Sequence, residues 1–195
     1  GIGVVNPFTR APELTAMEAA AVDAISGGRF ILAMGSSNKR WIEDQMKIPF
    51  VKPITAATEA VQMIKQLIST GELDFSGQVL SAQNVKLSFT PCRRDMPVYM
   101  GVKGERALRL AGAHADGVLV SFMCSAPYIK WARGVIDQGA KEAGRDPSEI
   151  KISAYMPLFI GDYQEGKRSL VNTLAYYVAR TGDQPFMQQS GITPE

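Results

Sequence analysis

Short apolar runs alternate along this chain with longer segments in which apolar residues recur every three or four positions. The runs lie at Ile2–Val5, Arg29–Met34, Val98–Gly101, Gly117–Phe122 and Ile152–Ile160. Short runs rich in β-branched residues predict strands, and the periodic segments predict amphipathic helices. The four later runs are apolar almost throughout, which is typical of parallel strands that are covered on both faces.

The first periodic segment predicts a helix that begins near Pro12. Its many alanines would allow a close approach to a neighbouring helix. Ser26-Gly27-Gly28 follows this segment, and glycine readily adopts the left-handed conformation that ends helices. The apolar positions expected on the buried face of this helix are Leu14, Met17, Ala21 and Ile25.

Further helices are predicted at about 55–69, 104–112 and 125–143, and after Asp162. Ser125 and Asp162 precede two of these helices and suit the N-cap position. The expected buried positions are Ala57, Val61, Ile64 and Ile68 in the first, Ile129, Ala132, Ile136 and Ala140 in the third, and Leu170, Leu174, Tyr177 and Val178 in the last.

Residues 72–95 interrupt the alternation and predict a small hairpin or irregular excursion. The remaining pattern is five strands, each followed by a helix, which defines an α/β fold with a parallel sheet. Two architectures satisfy this pattern, an open doubly wound sheet or an arc of a (β/α)8 barrel. A complete barrel needs about 250 residues, and 195 residues are about three units short of that. We expect residues 1–195 to form one domain, which is incomplete if the architecture is a barrel.

Composition narrows the classes of function. The chain has 21 Lys and Arg against 19 Asp and Glu, a net charge of +2, and no basic run interleaved with aromatic residues, so we expect no nucleic-acid partner. No apolar run has the length of a membrane span and no secretory leader is visible, so we expect a cytoplasmic protein without a membrane partner. Cys92 and Cys124 lie in unrelated contexts and are expected to be reduced thiols. The oligomeric state stays open, a homo-oligomer included.

Several chemistries are excluded by motif. The single histidine, His114, cannot build a multi-histidine metal site, and no cysteine cluster replaces it, so no metal is expected. The sequence contains neither a G-x-S-x-G elbow nor a G-x-x-x-x-G-K-[ST] loop. His114 precedes a predicted strand, at the end of the sheet that serves stability in barrels, and is interpreted as structural.

Ligands of parallel α/β folds bind at the carboxyl ends of the strands, which makes the turns there the candidate site. Gly101-Val102-Lys103-Gly104 joins a strand to a helix, and its glycines would let backbone N–H groups approach an anion. The alternative is an ordinary tight turn. Gly35-Ser36 lies in a similar turn that could pack against a ring or a phosphate, or be simply a polar loop. Val120 and Ser121 end another strand, and the Ser121 hydroxyl is a possible donor to a ligand.

Methionines also cluster at these strand ends, at Met34, Met100, Met123 and Met156. They could line a flat apolar pocket or simply fill the core, and the second interpretation is preferred.

The sequence resembles the luciferase-like monooxygenase and reductase family over nearly its whole length. Within that family it is most similar to the coenzyme F420-dependent enzymes related to methylenetetrahydromethanopterin reductase. The stretches that carry the resemblance, in the order expected of the family, are Val5–Pro12, Ser26–Phe30, Val51–Pro53, Pro97–Gly101, Ala107–Gly112, Ala115–Val118 and Gly139–Pro147.

The resemblance implies a (β/α)8 TIM-type barrel of which this chain supplies about strands three to seven with their helices. It implies an enzyme that uses F420, or alternatively FMN, for hydride transfer to or from a small organic substrate. FMN-dependent monooxygenation and non-catalytic cofactor binding are the alternative functions. It places the cofactor phosphate at Gly101–Gly104 and at the strand that ends with Val120 and Ser121.

The resemblance further implies that Val4, Val5 and Asn6 form a bulge against which the cofactor ring stacks. A non-prolyl cis peptide often occurs there in the family, which makes Gly3-Val4 a candidate. The family's first two βα units, which hold residues near the reacting carbon in many relatives, have no counterpart in this sequence, nor does the eighth. No catalytic residue is therefore assigned, and we expect the segment alone to be inactive or to need a partner.

Overall fold

The structure, a computed structural model, describes residues 1–122, 124–181 and 185–190. A π-helical segment, Arg40–Gln45, and a 3-10 turn, Pro147–Glu149, lie between the regular elements. In chain order those elements are β1 (Ile2–Val5), α1 (Pro12–Ile25), β2 (Leu32–Met34), α2 (Pro53–Thr70), β3 (Glu72–Ser76), β4 (Ser81–Lys86), β5 (Val98–Met100), α3 (Glu105–His114), β6 (Gly117–Val120), α4 (Ala126–Glu142), β7 (Lys151–Ala154), α5 (Tyr163–Thr181) and α6 (Pro185–Gln189).

Five of the strands form one parallel sheet in the order β1-β2-β5-β6-β7. The sheet is strongly curled, so that its first and last strands come close to each other. The hydroxyl of Tyr155, just after β7, donates a hydrogen bond to the carbonyl oxygen of Gly3 in β1 at 2.8 Å. In a flat sheet the first and fifth strands would be about 19 Å apart. This geometry is an arc of a barrel, which decides between the two architectures that the sequence pattern allowed.

Helices on the outside of the arc complete the core. The predicted stripe of α2 is fully buried at Ala57, Val61, Ile64 and Ile68. In α4 the predicted positions Ala132, Ile136 and Ala140 are buried, and Ile129 packs against the core from a half-buried position. Gly112 of α3 and Gly139 of α4 bring these two helices together, since a Cβ at either glycine would lie within 2.1 Å of the other helix's backbone.

The prediction for α1 was wrong about its buried face. Leu14 is half exposed and Ile25 is 88% exposed, whereas Ala16, Ala19, Ala20 and Asp23 are buried. The alanine face lies against α2, where small side chains allow close packing, and this close approach had been predicted from the alanines. Gly27 and Gly28 both have positive φ, as expected of residues that end the helix.

The excursion predicted at 72–95 contains an antiparallel hairpin of β3 and β4. The buried carboxylate of Glu59, in α2, holds the hairpin turn by accepting hydrogen bonds from three consecutive backbone N–H groups. The donors and their distances are Gln78 at 2.6 Å, Val79 at 3.0 Å and Leu80 at 2.8 Å.

The last strand is shorter than predicted. A strand over 152–160 was expected, but β7 ends at Ala154 and the following six residues are exposed. Ala154 pairs with Val120, the final residue of β6, so no neighbouring strand continues the ladder beyond that point. β7 is also an edge strand with mostly exposed residues, so the expectation of two covered faces was wrong for it.

Asp162 accepts hydrogen bonds from the backbone N–H groups of Gln164 and Glu165, which confirms it as the cap of α5. None of the helices in the described part of the chain is both long and apolar enough to span a bilayer.

Candidate functional site

The carboxyl ends of β1, β2 and β5 surround a cavity of about 510 Å³, here called the main cavity. Predicted site residues from three separate turns meet in it. Its lining is Val4, Asn6, Gly35, Ser36, Ser37, Asn38, Trp41, Ile54, Gly101, Val102, Lys103, Gly104 and Ala107.

A smaller cavity of about 190 Å³ adjoins the main cavity and shares the residues of the Val4 bulge and the Gly101 turn with it. It extends the site toward the ends of β6 and β7. Its lining is Gly3, Val4, Gly101, Val102, Lys103, Leu119, Val120, Ser121 and Tyr155.

All predicted site residues except Val5 therefore line one of two adjoining cavities. The side chain of Val5 packs against the hydrophobic core instead. Val4 lines both cavities and Val5 lines neither of them. The structure thus places Val4 at the site and Val5 beneath it, which leaves Val5 in contact with the core rather than with the cavity.

Val4 is the residue around which the site is shaped. The Gly3-Val4 peptide bond is cis and the register of β1 shifts between Gly3 and Val5, so the expected cis bond and bulge are both present. A Cβ at position 101 would lie 2.3 Å from Val4 Cγ1, and one at position 35 would lie 2.9 Å from Val4 Cγ2. Gly35 and Gly101 therefore make room for the Val4 side chain, a reason for these glycines that the sequence did not reveal.

Asn6 fixes the turn that follows the bulge. Its Oδ1 accepts hydrogen bonds from the backbone N–H groups of Phe8 and Thr9 at 3.0 Å each, and from the Thr9 hydroxyl at 3.2 Å. The side-chain oxygen is thus engaged within the protein, and its contribution to the site is to hold the β1 turn at the cavity edge.

The start of α3 opens onto the main cavity. Gly104 is its N-cap residue with φ −83°, no side chain caps the helix, and a Cβ at Gly104 would meet nothing within 4 Å. Neither backbone conformation nor packing requires glycine there. The first-turn N–H groups of a helix lack intrahelical acceptors and carry partial positive charge, so this helix start suits an anion.

Tyrosines from α4 and α5 support the far side of the site. Buried Tyr128 donates a hydrogen bond to the Lys103 carbonyl at 2.9 Å, and burial raises the pKa of its hydroxyl. The Tyr177 hydroxyl lies 3.1 Å from Ser121 Oγ, and its ring lies 5.9 Å from the Lys103 ammonium. These contacts connect Ser121 and Lys103 with α5, and the sequence did not predict that α5 reaches the site.

Other residues at the site were also missed. Trp41 lines the main cavity, is 53% exposed, and its backbone N–H donates to Asn38 Oδ1 at 3.0 Å. Ser37 beside it has a positive φ of 61°. The Asn38 to Trp41 spacing is that of a helix cap and its first turn, a signal that could have indicated the short π-helical segment bearing Trp41.

Two of the four methionines at the strand ends lie in the core. Met34 and Met100 are fully buried in the core, which confirms the preferred interpretation for them. Met156 is exposed, and Met123 lies outside the described residues.

The opposite, amino end of the sheet holds His114. Its Nδ1 lies 3.0 Å from Gln62 Nε2, and burial, with Arg145 and Lys65 nearby, lowers its pKa. The contact with Gln62 agrees with the interpretation of His114 as structural, which stays a prediction. In the described residues, no group of three or more His, Cys, Asp or Glu side chains could hold a metal ion, and Cys92 and Cys124 are free thiols.

Comparison with known proteins shows the family to which the chain belongs. The model of the luciferase-like monooxygenase family matches residues 1–191, so the chain belongs to that family. The chain is 34% identical to 5,10-methylenetetrahydromethanopterin reductase of Methanolobus tindarius, over the whole chain and 58% of that protein. It is 32% identical to the reductase of the same name from Methanopyrus kandleri, over the whole chain and 60% of that protein. The chain thus spans about three fifths of these relatives.

Solved structures agree on the fold. The coenzyme F420-dependent tetrahydromethanopterin reductase of Methanopyrus kandleri superimposes with a TM-score of 0.72 at 28% identity, over 99% of this chain and 66% of that one. Long-chain alkane monooxygenase LadA superimposes with a TM-score of 0.71 at 18% identity, over 92% of this chain and 49% of that one, and shows the fold alone. The predicted fold class, an arc of a TIM-type barrel, is confirmed.

Proposed function

We propose that the protein is a coenzyme F420-dependent oxidoreductase that transfers hydride between the reduced deazaflavin and a small organic substrate. The relatives at 34% and 32% identity are 5,10-methylenetetrahydromethanopterin reductases, and the similar solved reductase is F420-dependent. We further propose that residues 1–195 act as one barrel domain, with the elements of the arc packed around one core.

The observation that carries the proposal is the open start of α3 beside Lys103. A phosphate placed there would accept hydrogen bonds from the first-turn N–H groups of the helix and would face the Lys103 side chain along the cavity wall. The Gly104 position, where a Cβ has no neighbour, leaves room for the close approach of such a group. Ser121, on the second cavity, would be a further donor to it.

The remaining lining residues would orient the cofactor and exclude water. Val4 presents an apolar side chain, 49% exposed, at the centre of the two cavities, where it would support one face of a flat ring. Trp41 would cover part of the same ring. The bound deazaflavin supplies the hydride chemistry, and the protein's part is to hold the ring against these apolar side chains with one face open to substrate.

Substitutions at Gly104 test the phosphate site. Gly104→Asp should improve capping of α3 slightly and raise the free energy of unfolding by about 0.3 kcal/mol, since glycine is itself tolerated at an N-cap. It should also weaken F420 by about thirtyfold or more, because it engages the first-turn N–H groups and adds like charge at the phosphate. Gly104→Asn introduces a side chain of the same shape as Asp without its charge, so it separates the effect of capping from that of charge. It should weaken F420 less than Gly104→Asp does. An affinity for F420 unchanged in both variants would remove this loop from the site.

Titration of the protein with F420 and with FMN, followed by absorbance and fluorescence, tests the choice of cofactor. We expect F420 to bind at least about tenfold more tightly than FMN. Tighter binding of FMN would favour the alternative of an FMN-dependent monooxygenase. Binding of F420 without hydride transfer under any donor and acceptor pair would favour a non-catalytic relative. Failure to bind either cofactor would contradict the proposal.

A further inference from the structure

The buried tyrosine of α4, Tyr128, lies against the loop that leads into α3. It is the third residue of its helix, because Ser125 caps α4 and accepts a hydrogen bond from the Tyr128 backbone N–H at 3.2 Å. The cap fixes where the helix begins and therefore the direction of its first buried side chain. The Tyr128 ring is fully buried and packs against the ring of Trp131, with the centroids 5.6 Å apart. Packing thus holds the hydroxyl at a defined position.

The hydroxyl of Tyr128 needs an explanation of its own, because a phenylalanine ring would fill the same space. Further along α4, the buried side chains Ala132, Val135, Ile136 and Ala140 are apolar. A buried hydroxyl costs free energy unless it is hydrogen-bonded. Burial also raises the pKa of this hydroxyl, so it stays a donor at neutral pH. It donates at 2.9 Å to the backbone carbonyl of Lys103, in the loop between β5 and α3.

This contact orients one peptide group of the loop. Within the described residues, the one cis peptide bond is Gly3-Val4, so the bond between Lys103 and Gly104 is trans. The carbonyl and the N–H of a trans peptide point in opposite directions. Because the Lys103 carbonyl points toward α4, the Gly104 N–H points away from α4, on the side where Gly104 lines the main cavity.

The Gly104 N–H has no acceptor among the described residues. The first intrahelical bond of α3 runs from the Leu108 N–H to the Gly104 carbonyl at 2.9 Å, so the Gly104 N–H precedes the helical ladder. The N–H groups at a helix start carry partial positive charge. The Gly104 N–H is thus a donor that Tyr128 keeps directed toward the position expected for an anion.

We propose that Tyr128 is a positioning residue for the cofactor phosphate, which holds the Lys103 carbonyl so that the Gly104 N–H faces the main cavity. The inference rests on the proposed function and deepens it. Tyr128 itself lines neither the main cavity nor the smaller one that adjoins it. Its effect therefore passes through the peptide group between Lys103 and Gly104.

The test compares two ligands, F420 and the same deazaflavin without its phosphate. Tyr128→Phe removes the hydroxyl and keeps the ring. It should weaken F420 about tenfold, because a charge-assisted hydrogen bond to the phosphate is lost, and should leave the phosphate-free ligand within about twofold. Thr15→Val is the matched control, because it removes another buried hydroxyl, which donates to the Ala11 carbonyl at 3.0 Å in α1. It should change neither affinity.

Proton–nitrogen NMR of the wild-type protein gives a second measurement, which does not depend on the folding of a variant. The amide resonance of Gly104 should shift when F420 is added and should shift much less with the phosphate-free deazaflavin. In Tyr128→Phe, the shift of this resonance with F420 should be smaller than in the wild-type protein.

The outcomes separate the inference from the proposed function. Equal weakening of both ligands by Tyr128→Phe would show a general structural role and overturn the inference. Unchanged binding of F420 in that variant would overturn it as well, as would a wild-type Gly104 resonance that does not respond to F420. In each of these cases, wild-type binding of F420 would leave the proposed function intact. Failure of the wild-type protein to bind either deazaflavin would overturn both.

Discussion

The two ends of the same parallel sheet are built on different principles. At the amino end, carboxylates and guanidinium groups are paired and hold backbone N–H and carbonyl groups in place. At the carboxyl end, a helix start without a side-chain cap, two glycines that accommodate Val4, and exposed aromatic side chains surround open cavities.

The amino end shows what the pairing does. Asp23 accepts hydrogen bonds from Arg93 at 2.8 and 2.9 Å and from the Phe30 backbone at 3.0 Å, and this network joins the end of α1 to the approach to β2. Asp116 accepts the backbone N–H of Val98 at 2.9 Å and pairs with Lys65, so it joins β5 to α2. Each carboxylate thus connects the beginning of a strand with a helix through hydrogen bonds and an ion pair.

The comparison teaches that paired side chains hold the strand starts together at the amino end, whereas the candidate site at the carboxyl end lies where one helix, α3, begins without a side-chain cap. This division agrees with the general rule for (β/α) barrels, in which ligands bind at the carboxyl ends of strands. It also yields opposite expectations for substitutions at the two ends.

Asp23→Ala should produce the largest loss of stability. Buried Asp23 has a lowered pKa because Arg93 donates to it, and its removal leaves that guanidinium without its carboxylate partner. We expect the free energy of unfolding, measured with urea, to fall by about 3–5 kcal/mol. The Kd for F420 of the folded variant should stay within about twofold. A loss of stability below about 1 kcal/mol would contradict the comparison.

Gly101→Ala should act mainly on ligand binding at the other end. The new Cβ would displace Val4, so F420 should bind about tenfold more weakly, which is a loss of about 1.4 kcal/mol in binding free energy. Val4→Ala removes the clashing methyl groups. In a double-mutant cycle, Gly101→Ala should therefore cost much less affinity in the Val4→Ala background. Equal losses in both backgrounds would show that Gly101 acts independently of Val4.

Tyr155→Phe should have a smaller effect. Half-exposed Tyr155 donates to the Gly3 carbonyl across the arc, and losing one such hydrogen bond should lower the free energy of unfolding by about 0.5–1 kcal/mol. A modest weakening of F420 should accompany it, because Gly3 and Tyr155 line the second cavity. Tyr163→Phe, at the exposed start of α5, is the matched control and should leave both quantities unchanged.

The smallest expected effect concerns pH and His114. Its folded-state pKa lies below the usual 6.5, chiefly because of burial, so the unfolded chain binds the proton more readily. The stabilising contribution is therefore complete above about pH 6.5 and decreases as the pH falls toward the folded pKa. Urea unfolding between pH 5 and 7.5 should show this slope in the wild-type protein and a flatter one in His114→Gln. Identical slopes would exclude His114 as its source.

Much of the arc could be predicted because its elements follow local rules. The stripe of α2, the cap at Ser125 and the glycines after α1 each depend on residues within a few positions, and all three were predicted correctly. The turn at Gly101–Gly104 was also recognisable locally. The buried face of α1 could not be predicted locally, because close packing against α2 buries its small residues and leaves Leu14 and Ile25 exposed.

The candidate site also combines features that the sequence indicated with features that it did not. The sequence indicated that turns at the ends of strands would meet, since the carboxyl ends of parallel strands share one edge of the sheet. It did not indicate that Trp41 and Tyr177 reach that edge, because a long loop and a helix bring them there from outside the strand ends.

By itself, the sequence determined the alternation of strands and helices, the family and the turns that carry the candidate site. These features could be predicted because hydrophobic periodicity and turn-forming residues depend only on amino acids a few positions apart. Only the tertiary structure decided that the sheet curls into an arc, that Val4 faces the cavities while Val5 faces the core, and that Lys52 and Arg106 line one cavity. Those outcomes depend on contacts between residues far apart in the chain, which no local pattern encodes.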